Sequence, residues 1–234
     1  MNDDHVRKLS ELEDVRVLNL KQHATIDYKK IPGKNFQLKT VAILSTNFSD
    51  ILFLDSDNVP VKDPTFLFDH PAFIETGAMF WRDFWKTRPD NPIWPILGLE
   101  CLDEYEQESG QMLFRKSDPK VYQGLKLAMY MQSKDEVYFQ LTPGDKDTFR
   151  LSWRLLDLPY HMVDSHISVV GQHDDNPQTF CGHTLVQSAP GDAPYCEGSC
   201  TVCPAKCNST LAPLFMHCNQ LKYQERLNPK VMLS

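Results

Sequence analysis

A short apolar run that ends in two carboxylates constrains the fold of this chain more than any other feature. Residues 51–54 (ILFL) are typical of a buried strand, and Asp55 and Asp57 follow directly. In open α/β sheets, ligands gather outside the carboxyl ends of the strands. Two neighbouring carboxylates repel each other unless a cation or hydrogen bonds neutralise them, and their oxygens suit Mg²⁺ or Mn²⁺. The pattern favours a metal site, with a solvated turn as the alternative.

The composition narrows the class of protein. The 234 residues are 41% hydrophobic, which predicts one globular domain over 1–234 with an insertion at about 188–210. The net charge of −7 argues against a nucleic-acid partner. No stretch has the roughly 18 apolar residues of a membrane span, and the N-terminus lacks the apolar segment of a signal peptide.

Hydrophobic spacing predicts an α/β domain with a mainly parallel sheet. Strands are expected at 16–20, 51–54, within 71–85, at Gln111–Arg115 and within 166–187. Helices are expected at 36–46, after Asp118-Pro119 and from 144–147 onward, while 86–98 is expected to be irregular. The predicted buried helical faces are Leu38, Val41, Ala42 and Ser45, and then Val121, Leu125, Ala128 and Met129.

Three further segments carry candidate site residues. His217 follows the apolar run 213–216, where imidazole would be a third metal ligand or a structural residue. The segment 108–111, from Glu108 to Gln111, has a glycine that permits close approach to a ligand, although an ordinary turn has the same composition. The segment 144–147 places Asp145 or Asp147 near a substrate hydroxyl, or simply begins a helix with acidic residues.

Seven cysteines indicate either disulfides or a metal site. Four of them lie at Cys196, Cys200, Cys203 and Cys207, and this spacing favours disulfides, together with Cys181 and Cys218, over a zinc site. Cys101 is expected to be a buried thiol.

Taken together, these motifs resemble the fungal Golgi α-mannosyltransferases of the α-1,2 and α-1,3 type. The resemblance rests on FLDSDNVPVKDPTFLFD, ETGAMFWRDFWKT, ESGQMLFRKS, GDKDTFRLSW and PLFMHCNQLK, and it runs from about residue 12 to 224. It implies a Golgi-lumen enzyme of the GT-A fold that moves mannose from GDP-mannose to a mannan or N-glycan acceptor. It also implies Mn²⁺ and retention of the anomeric configuration.

The resemblance also assigns roles to individual residues. Asp55 and Asp57 would bind Mn²⁺ and, through it, the GDP diphosphate, with His217 as the last metal ligand. Among the remaining candidates, Lys222 would contact a phosphate, while Gln111, Glu108 and Asp145 would lie near the transferred sugar.

One departure from that family changes the expectation for activity. Only one strand and one helix are predicted before Asp55, so the first nucleotide-binding strand and the membrane anchor are expected to be missing. The chain would then be a truncated relative of the family. The alternatives are a non-catalytic glycan-binding or structural module, and an intracellular zinc protein suggested by the cysteines alone.

Overall fold

The computed structural model describes residues 3–23, 36–163, 165, 167–173, 180–191 and 213–219. The helices are α1 (Asp3–Ser10), α2 (Leu20–His23), α3 (Leu38–Ser45), α4 (Pro71–Thr76), α5 (Ile93–Leu97), α6 (Pro119–Gln132), α7 (Asp135–Leu141) and α8 (Lys146–Leu155), with a 3₁₀ helix at Thr65–Asp69. The strands are β1 (Asp50–Leu54), β2 (Asn58–Pro60), β3 (Ala78–Arg82), β4 (Gln107–Arg115), β5 (His161–Val163), β6 (Ser168–His173), β7 (Phe180–Ser188) and β8 (Pro213–His217).

The described strands form two sheets. The first has the order β1-β4-β3-β5 and the second the order β2-β8-β7-β6. The pair β3 and β5 is parallel, and the other described pairs are antiparallel. The α/β class is therefore confirmed, whereas the mainly parallel sheet is wrong for the described strands, because the periodicity of an apolar run does not reveal which strand pairs with it.

The chain crosses from one sheet to the other at the Asp55–Asp57 turn. Strand β1 ends with Leu54 opposite Gln111 of β4 in the first sheet. Four residues later, β2 begins with Asn58 opposite His217 of β8 in the second sheet. The two aspartates thus lie where the sheets meet, next to the last residue of β8.

Successive side chains of a strand point to opposite faces of the sheet. In the first sheet both faces are buried, one under helices and the other under the second sheet. Phe80 and Phe114 pack with Leu125 and Trp153 of the helical layer. On the other face, Trp81 packs edge-on against Phe215 of the second sheet, with ring centroids 5.4 Å apart. A third apolar cluster joins α5, α6 and α8. The layers are therefore helices, first sheet and second sheet.

Several predicted elements are confirmed in position. Helix α6 follows Asp118, whose carboxylate accepts a hydrogen bond from the Lys120 N–H at 2.8 Å, as an N-cap does. The helix buries all four predicted residues. Helix α3 forms as predicted and buries Val41, but its other buried residues are Thr40, Ile43 and Leu44 instead of Leu38, Ala42 and Ser45. The strands predicted within 166–187 form as β6 and β7, and β7 extends to Ser188.

Other predictions are wrong or incomplete. No strand forms at 16–20, where an irregular segment leads into α2. The strand predicted within 71–85 is confirmed as β3, but the helix α4, which was not predicted, precedes it, and Gly77 ends that helix with φ of +68°, a conformation that favours glycine. The segment 86–98 contains α5. Within the described ranges, no helix is long and apolar enough to cross a membrane.

Candidate metal site

Backbone hydrogen bonds hold the Asp55–Asp57 turn in place. The Asp55 N–H donates to the Gly110 carbonyl at 2.9 Å, and the Cys218 N–H donates to the Asp57 carbonyl at 2.8 Å. Within the turn, the Asn58 N–H donates to the Asp55 carbonyl at 2.9 Å. Both strands that meet here, β4 and β8, therefore fix the two aspartates relative to each other.

Three side chains of the kind that bind metal ions converge at this turn. One ligand atom from each of Asp55, Asp57 and His217 lies within 4.8 Å of the other two. His217 Nε2 is 3.2 Å from Asp57 Oδ1 and 3.9 Å from Asp55 Oδ2. Two carboxylate oxygens and one imidazole nitrogen form a donor set that suits Mn²⁺.

Glu108 faces the other nitrogen of the His217 ring. Glu108 Oε1 is 3.3 Å from His217 Nδ1, and the carboxylate also accepts the Gly110 N–H at 3.0 and 2.9 Å. Burial favours protonation of Glu108, but His217, the Gly110 N–H and Lys39 together outweigh burial and lower the pKa of Glu108. A carboxylate behind a ligating histidine orients the ring and directs Nε2 toward the metal.

Gly110 is required here because His217 passes very close to its backbone. A Cβ at Gly110 would lie 2.4 Å from His217 Nδ1 and 2.9 Å from Glu108 Oε2. The register between β3 and β4 shifts at this place, from Phe80–Met112 to Trp81–Glu108. Residues 109–111 of β4 are therefore extra relative to β3, as in a β-bulge, and bulges are common next to functional sites.

Lys39 of α3 connects two carboxylates of the site. Its Nζ is 3.2 Å from Asp55 Oδ2 and 3.3 Å from Asp145 Oδ2, and it donates to Ser109 Oγ at 3.0 Å. Burial disfavours the ammonium, yet Asp145, Asp55 and Glu108 together outweigh burial and raise the pKa of Lys39. Burial raises the pKa of Asp145, and Lys39 opposes that shift. Lys39 was missed in the sequence, where a single lysine in a helix carries no signal.

These groups open into a cavity of about 880 Å³, here called the metal cavity. Its described lining carries four carboxylates and two ammonium groups, so an excess of two negative charges remains when His217 is neutral. A divalent cation would balance that excess, and the residues present therefore fit such an ion. The lining carboxylates and lysines are Asp55, Asp57, Glu108, Asp145, Lys39 and Lys146.

Two predicted site residues are placed elsewhere. Gln111 is fully buried, and its Oε1 accepts a hydrogen bond from Asn58 Nδ2 at 2.6 Å, so it is not among the described lining of the metal cavity. Asp147 is also fully buried and pairs with Arg150 at 3.1 Å and Lys146 at 2.8 Å. Gln111 supports the turn from behind, and Asp147 belongs to a buried ionic network.

This ionic network was not predicted, because its members are far apart in the chain. Lys146 Nζ is paired with Asp83 at 3.2 Å, with Asp147 and with Glu106. Arg150, almost fully buried, pairs with Glu104 at 2.9 Å as well as with Asp147.

Some predicted residues lie outside the part of the chain that the structure describes. They are Lys222 and the four clustered cysteines, Cys196, Cys200, Cys203 and Cys207. Within the described residues, Cys101, Cys181 and Cys218 carry free thiols, and Cys101 is partly exposed instead of buried.

A family model described as "Mannosyltransferase putative" matches residues 2–98 and 99–189. The α-1,2-mannosyltransferase MNN24 of Candida albicans is 29% identical over 187 residues, which cover 63% of this chain and 26% of that relative. MNN22 of the same organism, also an α-1,2-mannosyltransferase, is 28% identical over 201 residues, covering 67% and 34%. The Saccharomyces cerevisiae α-1,2-mannosyltransferase MNN2 is 23% identical over 192 residues, covering 63% and 32%. The chain therefore spans about a quarter to a third of the length of these relatives.

Proposed function

Because this chain belongs to the family of putative mannosyltransferases, we propose that it transfers mannose from GDP-mannose to a mannose-containing glycan in the Golgi lumen. The observation that carries the proposal is the convergence of Asp55, Asp57 and His217 within 4.8 Å at the joint between the two sheets. The family membership agrees with the resemblance seen in the sequence. We include in the proposal GDP-mannose as the donor, Mn²⁺ as the metal ion, retention of the anomeric configuration and location in the Golgi lumen.

Asp55, Asp57 and His217 are the groups that would hold Mn²⁺. When bound, the ion would act as a Lewis acid toward the diphosphate leaving group. Glu108 keeps His217 oriented for this role through the 3.3 Å contact with Nδ1. Gln111 contributes by holding Asn58 beneath the turn, and Lys222 remains a predicted phosphate contact.

Asp145 is the carboxylate that we place nearest the transferred sugar. Lys39 holds it at 3.3 Å and lines the same cavity, so the orientation of Asp145 is set before a substrate binds. As the donor bond breaks, positive charge develops on the sugar ring, and a fixed carboxylate stabilises it. Lys39 would at the same time limit the repulsion between Asp145 and Asp55.

We propose retention without a covalent enzyme intermediate. The bond between mannose C1 and the β-phosphate oxygen breaks, and the acceptor hydroxyl oxygen forms a new bond to C1 on the same face. The hydroxyl proton passes to the departing phosphate oxygen. The products are GDP, which carries the proton, and the mannosylated acceptor, and together they account for all atoms of GDP-mannose and the acceptor.

Calorimetric titration with GDP-mannose, in the presence and absence of Mn²⁺, tests the proposal. We expect Mn²⁺-dependent binding that Asp57→Asn weakens by at least tenfold, since one ligand charge is lost while the shape is kept. Glu75→Gln is the matched control, because Glu75 is an exposed carboxylate of α4 that does not line the metal cavity.

The competing function is a glycan-binding or structural module that has kept the site residues. Absence of Mn²⁺-dependent donor binding in a folded wild-type chain would refute the transferase proposal and favour this module. Donor binding equal in Asp57→Asn and the wild type would refute the assignment of the metal site.

A further inference from the structure

A second cavity of about 610 Å³ adjoins the metal cavity. Glu108 and Lys146 line both cavities and so form a common wall. Glu108 on this wall is also the partner of His217, at 3.3 Å. A ligand in the second cavity would therefore lie about one side chain away from the metal ligands, where the second substrate of a group transfer has to be.

The walls of this second cavity are rich in exposed aromatic side chains, and we call it the aromatic cavity. Phe84 and Trp85, which follow β3, are 39% and 70% exposed, and Phe180 of β7 is 49% exposed. Exposed aromatic rings that converge from two chain segments indicate a binding site more than a packing requirement. The negative face of an aromatic ring attracts the polarised C–H bonds of a pyranose ring.

The polar groups of the aromatic cavity suit a neutral, hydroxyl-rich ligand. Asp83 and Glu108 line it together with Lys146, whose ammonium is already paired with Asp83, Glu106 and Asp147. A phosphate is disfavoured here, because the carboxylates would repel it and the charge of Lys146 is already balanced by its carboxylate partners. Asp83 accepts the Phe84 N–H at 2.7 Å and has further lone pairs for a hydroxyl donor.

The segment that carries Trp85 is held rigidly. The Asp83 N–H donates to the Glu106 carbonyl at 2.7 Å, and the Glu106 N–H donates to the Trp85 carbonyl at 2.8 Å. A platform that is already ordered loses little conformational entropy when a ligand binds.

We propose that the aromatic cavity binds the terminal sugar of the acceptor glycan, with Trp85 as the stacking surface and Asp83 as a hydroxyl partner. The acceptor hydroxyl then faces the common wall and the metal cavity beyond it. This inference rests on the proposed transferase function. The two cavities divide the substrates by charge: the metal cavity takes the anionic donor, and the aromatic cavity takes the neutral acceptor.

Titration of the chain with α-linked mannobiose, without donor, tests the inference. Trp85 is strongly exposed while Trp81, Trp94 and Trp153 are buried, so a blue shift of tryptophan fluorescence reports that Trp85 has been covered. We expect this shift in the wild type and its loss in Trp85→Phe, which keeps an aromatic surface. Trp85→Ala should weaken calorimetric mannobiose binding by about tenfold.

Phe48→Ala is the matched control, because Phe48 is also 70% exposed and lies outside the lining of the aromatic cavity. It should leave mannobiose affinity unchanged. Mn²⁺-dependent GDP-mannose binding should stay within twofold of the wild type in both alanine variants. Equal mannobiose affinity in Trp85→Ala and Phe48→Ala, or no binding by the wild type, would overturn the inference.

Titration with GDP-mannose distinguishes a failure of the acceptor-site inference from a failure of the transferase proposal. If the wild type binds GDP-mannose with Mn²⁺ but mannobiose affinity does not depend on Trp85, the transferase proposal stands and the acceptor assignment fails. If mannobiose binds through Trp85 while GDP-mannose does not bind, the aromatic cavity is a saccharide site but its role as an acceptor site is refuted.

Discussion

Gly110→Ala should disable the proposed metal site without altering Asp55, Asp57 or His217. The added Cβ would lie 2.4 Å from His217 Nδ1 and 2.6 Å from Cε1, whereas ordinary contacts begin at 3.4 Å. The imidazole therefore has to move by about 1 Å. Metal–ligand distances tolerate about 0.2 Å, so a displacement of this size removes His217 from the ligand set.

The expected effect on metal binding follows from that displacement. Disturbing the partner that orients a ligating histidine costs about 10–100-fold in metal affinity, which corresponds to about 1.4–2.8 kcal/mol. The same overpacking should lower the free energy of unfolding by about 1–3 kcal/mol. Mn²⁺ affinity would be measured by calorimetry, and the free energy of unfolding by urea denaturation of the metal-free protein.

Gly124→Ala separates the two effects. A Cβ at Gly124 would lie 2.9 Å from the Trp153 ring in the helical core. This variant should lose comparable stability while its folded fraction binds Mn²⁺ like the wild type. If Gly110→Ala bound Mn²⁺ with wild-type affinity, the argument that His217 ligates the ion from its observed position would be wrong.

Three further predictions concern pH, charge and capping. Burial disfavours the imidazolium of His217, but Glu108, Asp57 and Asp55 together outweigh burial and raise the pKa of His217. Protons thus compete with the ion at a higher pH than usual, and Mn²⁺ affinity should fall up to about tenfold per pH unit below that pKa; a flat calorimetric profile from about pH 8 to about pH 5 would contradict this. Arg150→Met leaves Glu104 without its buried cation and leaves Asp147 with Lys146 as its remaining described cation, and it should cost about 3–5 kcal/mol of unfolding free energy in urea denaturation. A loss of less than about 1 kcal/mol, as for an exposed ion pair, would count against that explanation. Asp118→Ala removes the N-cap of α6 and should cost about 1 kcal/mol in the same assay, and no change would mean that the cap contributes nothing.

The sequence predicted correctly the helices and strands that depend on residues close to each other in the chain. The Asp118-Pro119 start of α6 and its apolar face were predicted correctly, because both depend on residues within one or two turns. The 51–54 strand formed for the same reason. The strand within 71–85 was also predicted correctly, but the helix before it was not, since α4 has only six residues and ends at Gly77.

The residue types of the candidate site were visible in the sequence, but their arrangement was not. The apolar run before Asp55 and Asp57, and the run before His217, placed carboxylates and an imidazole at strand ends. Alternation along a strand has the same period in parallel and antiparallel sheets, so the sequence could not show that β1 and β2 belong to different sheets.

Only the tertiary structure decided which side chains meet. In the structure, Lys39 of α3 lies between Asp55 and Asp145. Gln111 contacts Asn58 behind the turn, and Glu108 contacts His217. These contacts depend on strand pairing across more than a hundred residues between β2 and β8, and they result from packing two sheets on a helical layer. The sequence by itself determined the N-cap and the apolar face of α6 and the residue types of the candidate metal site, because these depend on near neighbours. The geometry that makes those residues one site is a property of long-range packing.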